Sequence, residues 1–434
     1  MGKSNVFCHL SRGRDIGKEN FTYLALGSNL GDRRENLELA IAKLGEHGIE
    51  FVESSPVYRT PALLLENSPE DWNRPYFNCV IKTKTTHSPE FLLESVKTIE
   101  QEMGRDFTHK WSPRTIDIDI LFHRDITIDT PSLTIPHKAL KNRQFLRDAL
   151  SFVRPNTDAE VYHYGMGHLP VFMGILNINS DSFSDGGVYN NHEKFKAAFE
   201  NFANELVAII DIGAESTKPN AVPISAEEEL KRLEGVFEFL KGRKHKALDP
   251  ILSIDTYHFE TAKIAVENGF KIINNVSALS DRRFIELLAE YGDTKYVLTH
   301  SLRVPAGGED VIVDERVVDE LCGFLESKLG ELEGGGISRD RILFDIGVGF
   351  GKSQYGSLKL LREIEKFHKY GVKIVVGHSR KSFMRAFEES TPTKDADTLA
   401  ISLALAPKVD VLRVHTPIEH QNAFLAYNSV VSGL

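Results

Sequence analysis

Two different rhythms of apolar and polar positions follow one another along the 434 residues. In the first, apolar residues recur at helical spacing in ENLELAIAKLGEHG, which Gly48 closes. They do so again in SPEFLLESVKTIEQEMG, where Ser88 suits an N-cap and Pro89 the first helical position. FTYLALGSN, FVESSPVYRT, PYFNCVIKTKT and TIDIDILF are instead rich in β-branched and aromatic residues and read as strands. The order βαββαβ over residues 21–153 predicts a ferredoxin-like α+β domain.

Residues 154–169, RPNTDAEVYHYGMGHL, are polar and broken by Gly and Pro, and read as a linker. From 170 to 434 the rhythm changes. Short continuous apolar runs (VFMGILN, LVAIIDIG, ILSIDT, KIINNV, KYVLTH, RILFDIG, KIVVG, DVLRVH) each give way to a helical segment. These segments begin near His192, Ser225, Tyr257, Asp281, Asp314, Ser357, Arg380 and Pro417. Continuous apolar strands are expected where both faces of a sheet are buried, and eight β-then-α units in about 260 residues predict a (β/α)8 TIM barrel. Polar residues collect where the runs end: Asn177, Asp211, Asp255, Asn274, His300, Asp345, Lys381, Arg413 and His415. Any one of them is as well explained as a strand cap. Together they mark the face that a barrel uses for catalysis.

The net charge of −10 speaks against a general binder of nucleic acid or of membrane surfaces, so anionic substrates must be met by local Lys and Arg. No apolar run reaches membrane-spanning length. The start of the chain has no signal-peptide core, and Val6 breaks the myristoylation pattern that Gly2 suggests. Residues 1–20 read as a tail. Cys8, Cys79 and Cys322 form no disulfide framework, which fits a reduced, cytoplasmic setting.

Candidate chemistry in the first block centres on Asp117 and Asp119. One residue apart on a strand, both carboxylates share a face, and like charges so close invite a cation. All-oxygen ligation suits Mg²⁺ carrying nucleotide phosphates. An isolated pair would be a solvated strand face, but Arg105, Trp111 and Arg114 precede it and His137, Lys141 and Arg143 follow. Tyr76, Asn78, Trp111 and Phe145 suit a flat heterocycle, although each suits a core equally well and Phe145, taken alone, suits a core better. There is no GxxxxGK(S/T) loop. ALGSNLGD, VYRTPAL, PYFNCV, WSPRTIDIDILF and LTIPHKALKNRQFL make the block resemble 6-hydroxymethyl-7,8-dihydropterin pyrophosphokinase. The resemblance implies that Asp117 and Asp119 hold two Mg²⁺ ions on ATP and that Arg105 and Arg114 stabilise the transferring phosphates. Thr60, Leu63, Tyr76, Asn78, Trp111 and Phe145 then form the pterin pocket, and Thr134, His137 and Arg143 contact ATP. The segment RDFTHKW is one residue shorter than the family pattern and lacks a second arginine.

In the second block, NINSDSFSDGG suits a mobile lid or anion cradle, although taken alone it reads better as a plain turn-rich loop, and Ser216, Thr217 and Lys218 in DIGAESTKPN suit an anion. Asp255, Asn274 and Asp345 offer a carboxylate–amide set for the N–H groups of a pterin, and Arg413 and His415 share a strand face. Arg413 suits equally well a partner for a neighbouring acid. With MGILNINSDSFSDGG, GAESTKPN and VGFGK…VGHSRKS…LRVH in this order, the block resembles dihydropteroate synthase. The resemblance implies that Asn177 holds Mg²⁺ and pyrophosphate, and that Ser216, Thr217, Arg413 and His415 bind the leaving pyrophosphate. Asp255, Asn274, Asp345 and Lys381 hold the pterin, and Pro219, Phe350 and Ser382 contact p-aminobenzoate. Lys218, Asn275, Thr299 and His378 depart from the family pattern. A pterin-binding methyltransferase would share the pterin-holding strand ends, yet would not need the SDSFSDGG loop, the SRKS cluster or a pyrophosphokinase partner. A degenerate scaffold would not keep both Asp117/Asp119 and Arg413/His415. The expected partners are small molecules, with a homodimer through the barrel and a dihydroneopterin aldolase as open assembly options, and a mitochondrial location open in a eukaryote.

Overall fold

The structure is a computed structural model that describes residues 21–64, 66–106, 109, 111–154, 164–165, 167–178, 187–216, 221–302, 311–381, 383 and 394–431, with the backbone alone at 187–191, 394 and 431. The N-terminal unit runs β1 (Phe21–Ser28), α1 (Arg33–Glu46), β2 (Glu50–Ser54), β3 (Tyr58–Thr60), β4 (Tyr76–Lys84), α2 (Pro89–Glu102), β5 (Asp117–His123), β6 (Ile128–Asp129), β7 (Thr134–Ile135) and α3 (Gln144–Val153). Its antiparallel sheet has the order β2-β4-β1-β5, with β3 on the far end of β4, which is the expected ferredoxin-like arrangement. The single strand expected over 51–60 is two, because Pro56 between them lacks the N–H that a continuous ladder requires. Asp32 caps α1, Ser88 caps α2 through Phe91 N, and Gly48 takes the left-handed φ of +73° that ends α1.

Helix α3 was not anticipated, although Leu146, Ala149, Leu150 and Val153 bury one stripe at its spacing. It matters because it covers the sheet face opposite α1 and α2. Tyr23, Val80 and Leu121 of that face share one apolar cluster with α3 and with the floor of the second unit, including Val171, Met173, Ile209, Val297 and Val411.

That second unit is a closed, all-parallel barrel. It runs β8 (Val171–Asn177), α4 (Gly187–Asn204), β9 (Ile209–Gly213), α5 (Ala226–Gly242), β10 (Ile251–Asp255), α6 (Phe259–Glu267), β11 (Ile272–Asn275), α7 (Arg283–Glu290), β12 (Lys295–Thr299), α8 (Val317–Gly334), β13 (Ile342–Asp345), α9 (Gln354–Arg362), β14 (Lys373–Val376), α10 (Lys394–Leu405), β15 (Val411–Val414) and α11 (Pro417–Val431). The TIM-barrel expectation holds. No right-handed helix begins at Arg380 itself, which takes a left-handed φ of 58°. Among the described residues, no helix is long and apolar enough to cross a membrane.

Polar contacts pin the two units together. Arg34 reaches Ala203 O (2.6 Å) and Asp249, and Arg59 reaches Glu205 and Asn422. At the buried centre, Asp148 of α3 accepts from Gln144, from Leu169 N and from His168 Nδ1, the last at 2.8 Å. The other ring nitrogen, Nε2, lies 2.9 Å from Val409 O. Both neighbours are acceptors, so both nitrogens must carry protons and the ring is an imidazolium. Burial opposes that charge, but Asp148 and Asp410 outweigh it and hold the pKa above its ordinary value. A pKa raised by folding contributes stability that is complete below the unfolded value, about 6.5, and fades as pH rises through the folded one. The thermal midpoint lost in His168→Gln, measured against the parent, should therefore be largest near pH 6 and shrink steadily in alkaline buffer. A loss that stays constant with pH would mean that the ring is neutral.

Candidate active sites

The first site grows from one rung of the antiparallel sheet. Tyr58 pairs with Asn78, Asn78 with Gly27, and Gly27 with Asp117. A Cβ on Gly27 would stand 2.6 Å from Asn78 Oδ1, so glycine alone leaves the middle of the rung open. A cavity of about 380 Å³ lies here, and its wall contains all six residues expected to hold a heterocycle: Thr60, Leu63, Tyr76, Asn78, Trp111 and Phe145. Asn78 Nδ2 donates to Thr60 Oγ1 at 2.8 Å. Trp111 reaches the wall on a left-handed backbone, φ 78°, an unfavourable conformation for a bulky residue. The same wall contains Arg114, Asp117 and Arg143.

Asp117 and Asp119 share the expected face. Arg105 Nη1 and Arg114 Nη1 stand 2.6 and 2.9 Å from Asp117. His137 Nε2 is 3.8 Å from Asp119, whose carboxyl is pushed above its ordinary range by burial and by the charge of Asp117. A carboxylate pair under that repulsion, flanked by cations suited to phosphate, fits a hard divalent ion with oxygen ligands. Thr134 stands elsewhere, on β7 opposite Asp129, outside the cavity wall. Glu100 was missed. It is 5 % exposed, accepts from Ile118 N at 2.8 Å and contacts Arg105, and burial pushes its carboxyl up to about 7 against the pull of that arginine. Its signal was available, since an acid stands on the buried stripe of α2 beside Val96 and Ile99.

The second site is the mouth of the barrel. Register puts Asn177, Gly213, Asp255 and Asn274 side by side on four successive strands, with Thr299 beside Asp345 further round. Asp211, fully buried, accepts from Ser253 Oγ (2.6 Å), Asn274 Nδ2 (2.9 Å) and Arg413 Nε (2.6 Å). Arg413 also donates to Asp255 at 2.6 Å, so the pairing with neighbouring acids is real. Asp255 Oδ1 is nonetheless buried without a hydrogen-bond partner among the described residues. Burial pushes the Asp255 carboxyl up to about 7, with Arg413 acting against it. Burial pushes the Lys381 ammonium down to about 8. Lys381 donates to Val348 O at 2.8 Å, with its Nζ 4.5 Å from the centre of the Phe350 ring.

Arg413 and His415 take different partners in the structure. β15 ends at Val414, and His415 beyond it turns to Ser379 Oγ, 2.9 Å away, so the strand's alternation no longer governs it. Ser216 stands just past β9, half-buried. Thr217, Pro219 and Ser382, with Lys218 and the loop 179–186, lie outside the described residues. Two of the departures from the family pattern are structural. His378, held neutral by burial at a pKa of about 4, meets Thr398 O and Ser402 Oγ, and Asn275 accepts from Ser277. Lys352, the last residue of the VGFGK segment, has its buried Nζ within 2.9–3.2 Å of Gly347 O, Phe350 O, His300 O and His300 Nδ1. It ties the loop that carries Val348 and Phe350 to the end of β12.

Both regions also have relatives. Residues 173–415 match the family described as Pterin binding enzyme, and residues 23–155 match 7,8-dihydro-6-hydroxymethylpterin-pyrophosphokinase (HPPK). The chain is 33 % identical to a folate synthesis bifunctional protein of Chlamydia caviae, over 94 % of this chain and 97 % of that protein. It is 30 % identical to a mitochondrial one of Arabidopsis thaliana, over 92 % and 80 %. A dihydropteroate synthase of Xanthomonas albilineans solved with 4-aminobenzoic acid superposes with a TM-score of 0.55 at 32 % identity, over 61 % of this chain and 94 % of that one. An HPPK-DHPS solved with substrates superposes over 95 % and 99 % with a TM-score of 0.52; at 22 % identity it shows a shared fold alone.

Replacing Lys352 with Met keeps the volume and removes the donor, leaving buried carbonyls unpaired at about 1–3 kcal/mol each. Lys352→Met should lower the midpoint of barrel unfolding by several degrees, whereas Lys352→Arg should recover part of it. A Met variant as stable as the parent would show that the loop holds without the tie.

Proposed function

Because the chain belongs to the family of bifunctional folate-synthesis proteins, we propose that its two reactions are carried by two separate sets of side chains, one in each unit. It passes the pyrophosphoryl group of ATP to the hydroxyl of 6-hydroxymethyl-7,8-dihydropterin, releasing AMP. It then joins the product to p-aminobenzoate, giving 7,8-dihydropteroate and pyrophosphate. We assign residues 21–153 to the first activity, 154–169 to a linker and 170–434 to the second.

In the first unit the pterin lies over Gly27, its hydroxymethyl group toward Asp117 and its pyrimidine edge toward Asn78 and Thr60. Tyr76, Trp111 and Phe145 enclose the rings and Leu63 closes the side. Arg105 and Arg114, held by Asp117 and Glu100, neutralise charge on the transferring phosphates, and His137, Arg143 and Thr134 belong to the ATP side. Asp117 and Asp119 hold Mg²⁺, which when bound supplies further charge neutralisation.

In the barrel, Asn274, Asp345 and Lys381 hold the pterin, and Asp255 offers its orphaned Oδ1 to a ring or amino N–H. That buried acceptor is the observation that carries the reading. The bond between the pterin methylene and its oxygen breaks as the arylamine nitrogen bonds the same carbon and loses a proton. Arg413, His415, Ser216, Thr217 and Asn177 receive the departing pyrophosphate, with Mg²⁺ at Asn177. Phe350, Pro219 and Ser382 hold the p-aminobenzoate ring. We place the enzyme in the cytoplasm, with a homodimer through the barrel and a dihydroneopterin aldolase as its proposed associations.

Separate sites make crossed predictions. Asp117→Ala should abolish AMP formation while dihydropteroate is still made from supplied pterin pyrophosphate. Arg413→Lys keeps the charge that balances Asp211 and Asp255 but loses the guanidinium fork, and should slow the second reaction on the order of 10²-fold with AMP formation intact. A folded Asp117 variant that also loses the second reaction would refute the division.

Asp255 adds a titration. With its pKa near 7, the carboxyl is partly protonated in neutral buffer. A ligand that donates to it favours the ionised form, lowers its pKa and expels the proton. Calorimetry in buffers of different ionisation enthalpy should show proton release on binding pterin pyrophosphate near pH 7, and none in Asp255→Asn. Affinity should rise as pH climbs through 7 and then level off. Equal proton release by both proteins would remove Asp255 from the pocket.

A further inference from the structure

The cavity over Gly27 is not closed by the first unit alone. Its wall also contains Leu169, from the segment leading into the barrel, and Asn428, from the barrel's last helix. Asn428 is 7 % exposed. On α11, Gln421, Phe424 and Asn428 recur at helical spacing. This face is fastened by Gln421 Nε2, which donates to Leu206 O, and by Arg59, which reaches Asn422 from β3. A smaller cavity of about 40 Å³ continues between the units past Tyr58, Leu169, Phe424 and Asn428. The Leu169 side of the wall is fixed as well, since the Asp148 carboxylate takes both Leu169 N and the side chain of Gln144, another wall residue.

Direction follows from the rung. The group to be pyrophosphorylated faces Asp117, so the opposite, pyrimidine end of the rings points past Asn78 and Thr60 toward β3. Strand β3 is the one on which α11 packs, as the Arg59–Asn422 bond shows. An amide at that end can both donate and accept, which matches the alternating amino, ring-nitrogen and carbonyl edge of a pterin.

We propose that Asn428 is a specificity residue of the first reaction, so that the barrel supplies one wall of the kinase pocket. The inference rests on the assignment of this cavity to the pterin. The barrel thereby acts on substrate selection in a reaction whose phosphate chemistry lies wholly in the other unit.

The test uses the full chain with Asn428→Ala, the near-isosteric Asn428→Leu, and Asn78→Ala as a reference for the pocket itself. KM for 6-hydroxymethyl-7,8-dihydropterin is read from AMP formation, and binding of 6-hydroxymethylpterin from calorimetric titration. Both Asn428 variants should raise KM and weaken binding on the order of tenfold, as the loss of one hydrogen bond in a pocket does. KM for ATP should stay within about twofold. Ala and Leu favour helix at least as well as Asn, and dihydropteroate synthesis from supplied pterin pyrophosphate reports that the barrel is folded. If Asn78→Ala weakens binding and neither Asn428 variant does, the inference is overturned and the pocket stands. If Asn78→Ala also leaves binding unchanged, the cavity is not the pterin site and both readings fall. A variant that loses both reactions would show α11 to be structural and would likewise overturn the specificity role.

Discussion

Asp255 and Asp345 end strands at the mouth of a closed barrel, Asp211 lies in the middle of β9 just below them, and their removal from water is tolerable because the half-buried Arg413 and Lys381 are gathered with them. Removing such a charge from water costs several kcal/mol unless partners and hydrogen bonds replace the solvent. Asp211 is satisfied completely by Ser253, Asn274 and Arg413. Asp255 is not, and keeps one oxygen orphaned with its pKa near 7. The mouth is therefore built in two grades. A satisfied acid holds Arg413 and Asn274 in place, and the other keeps an acceptor that no described residue fills.

The other unit meets the same problem with an open sheet. Asp117 and Asp119 cannot be matched by acids and bases on facing strands, so compensation for Asp117 comes from Arg105 and Arg114, in the segment leading into β5. Arg105 is anchored in turn by Glu100 from helix α2. Because these cations already contact Asp117, a phosphate group arriving beside that carboxylate would find them gathered and need only redirect them. Pre-gathered charge of this kind favours a transition state in which phosphate charge grows, since little reorganisation is left to make.

The two architectures were legible in the sequence because each imposes a strict rhythm, period two on half-buried strands and continuous apolar runs on strands buried on both faces. The same logic placed Asp117 with Asp119 and gathered the strand-end residues at one mouth. What escaped was long-range. Asp211 was expected at a strand end but lies in the middle of β9, since the strand runs on to Gly213, and its hold on Arg413, 202 positions away, depends on barrel closure. Glu100 and α3 carried local signals that only the packing makes intelligible. That Arg413 turns to Asp211 and Asp255 while His415 meets Ser379 could not be read from the alternation, since β15 ends at Val414 and His415 lies one residue beyond.

The contact between the units is built like a domain core, with the floor of the barrel and one face of the sheet sharing an apolar cluster around α3. A flexible tether needs no such burial, and a merely solubilising contact would not set an imidazolium between Asp148 and Val409 O with both ring nitrogens engaged. Val409 lies two residues before β15, the strand that carries Arg413, while Asp148 lies in α3, whose first turn lines the kinase cavity through Gln144 and Phe145. The same few residues thus fix the back wall of one site and the base of the strand that feeds the other. Rearrangement at this contact would be felt at both sites, so the fusion constrains the geometry of each active site as well as the supply of intermediate between them.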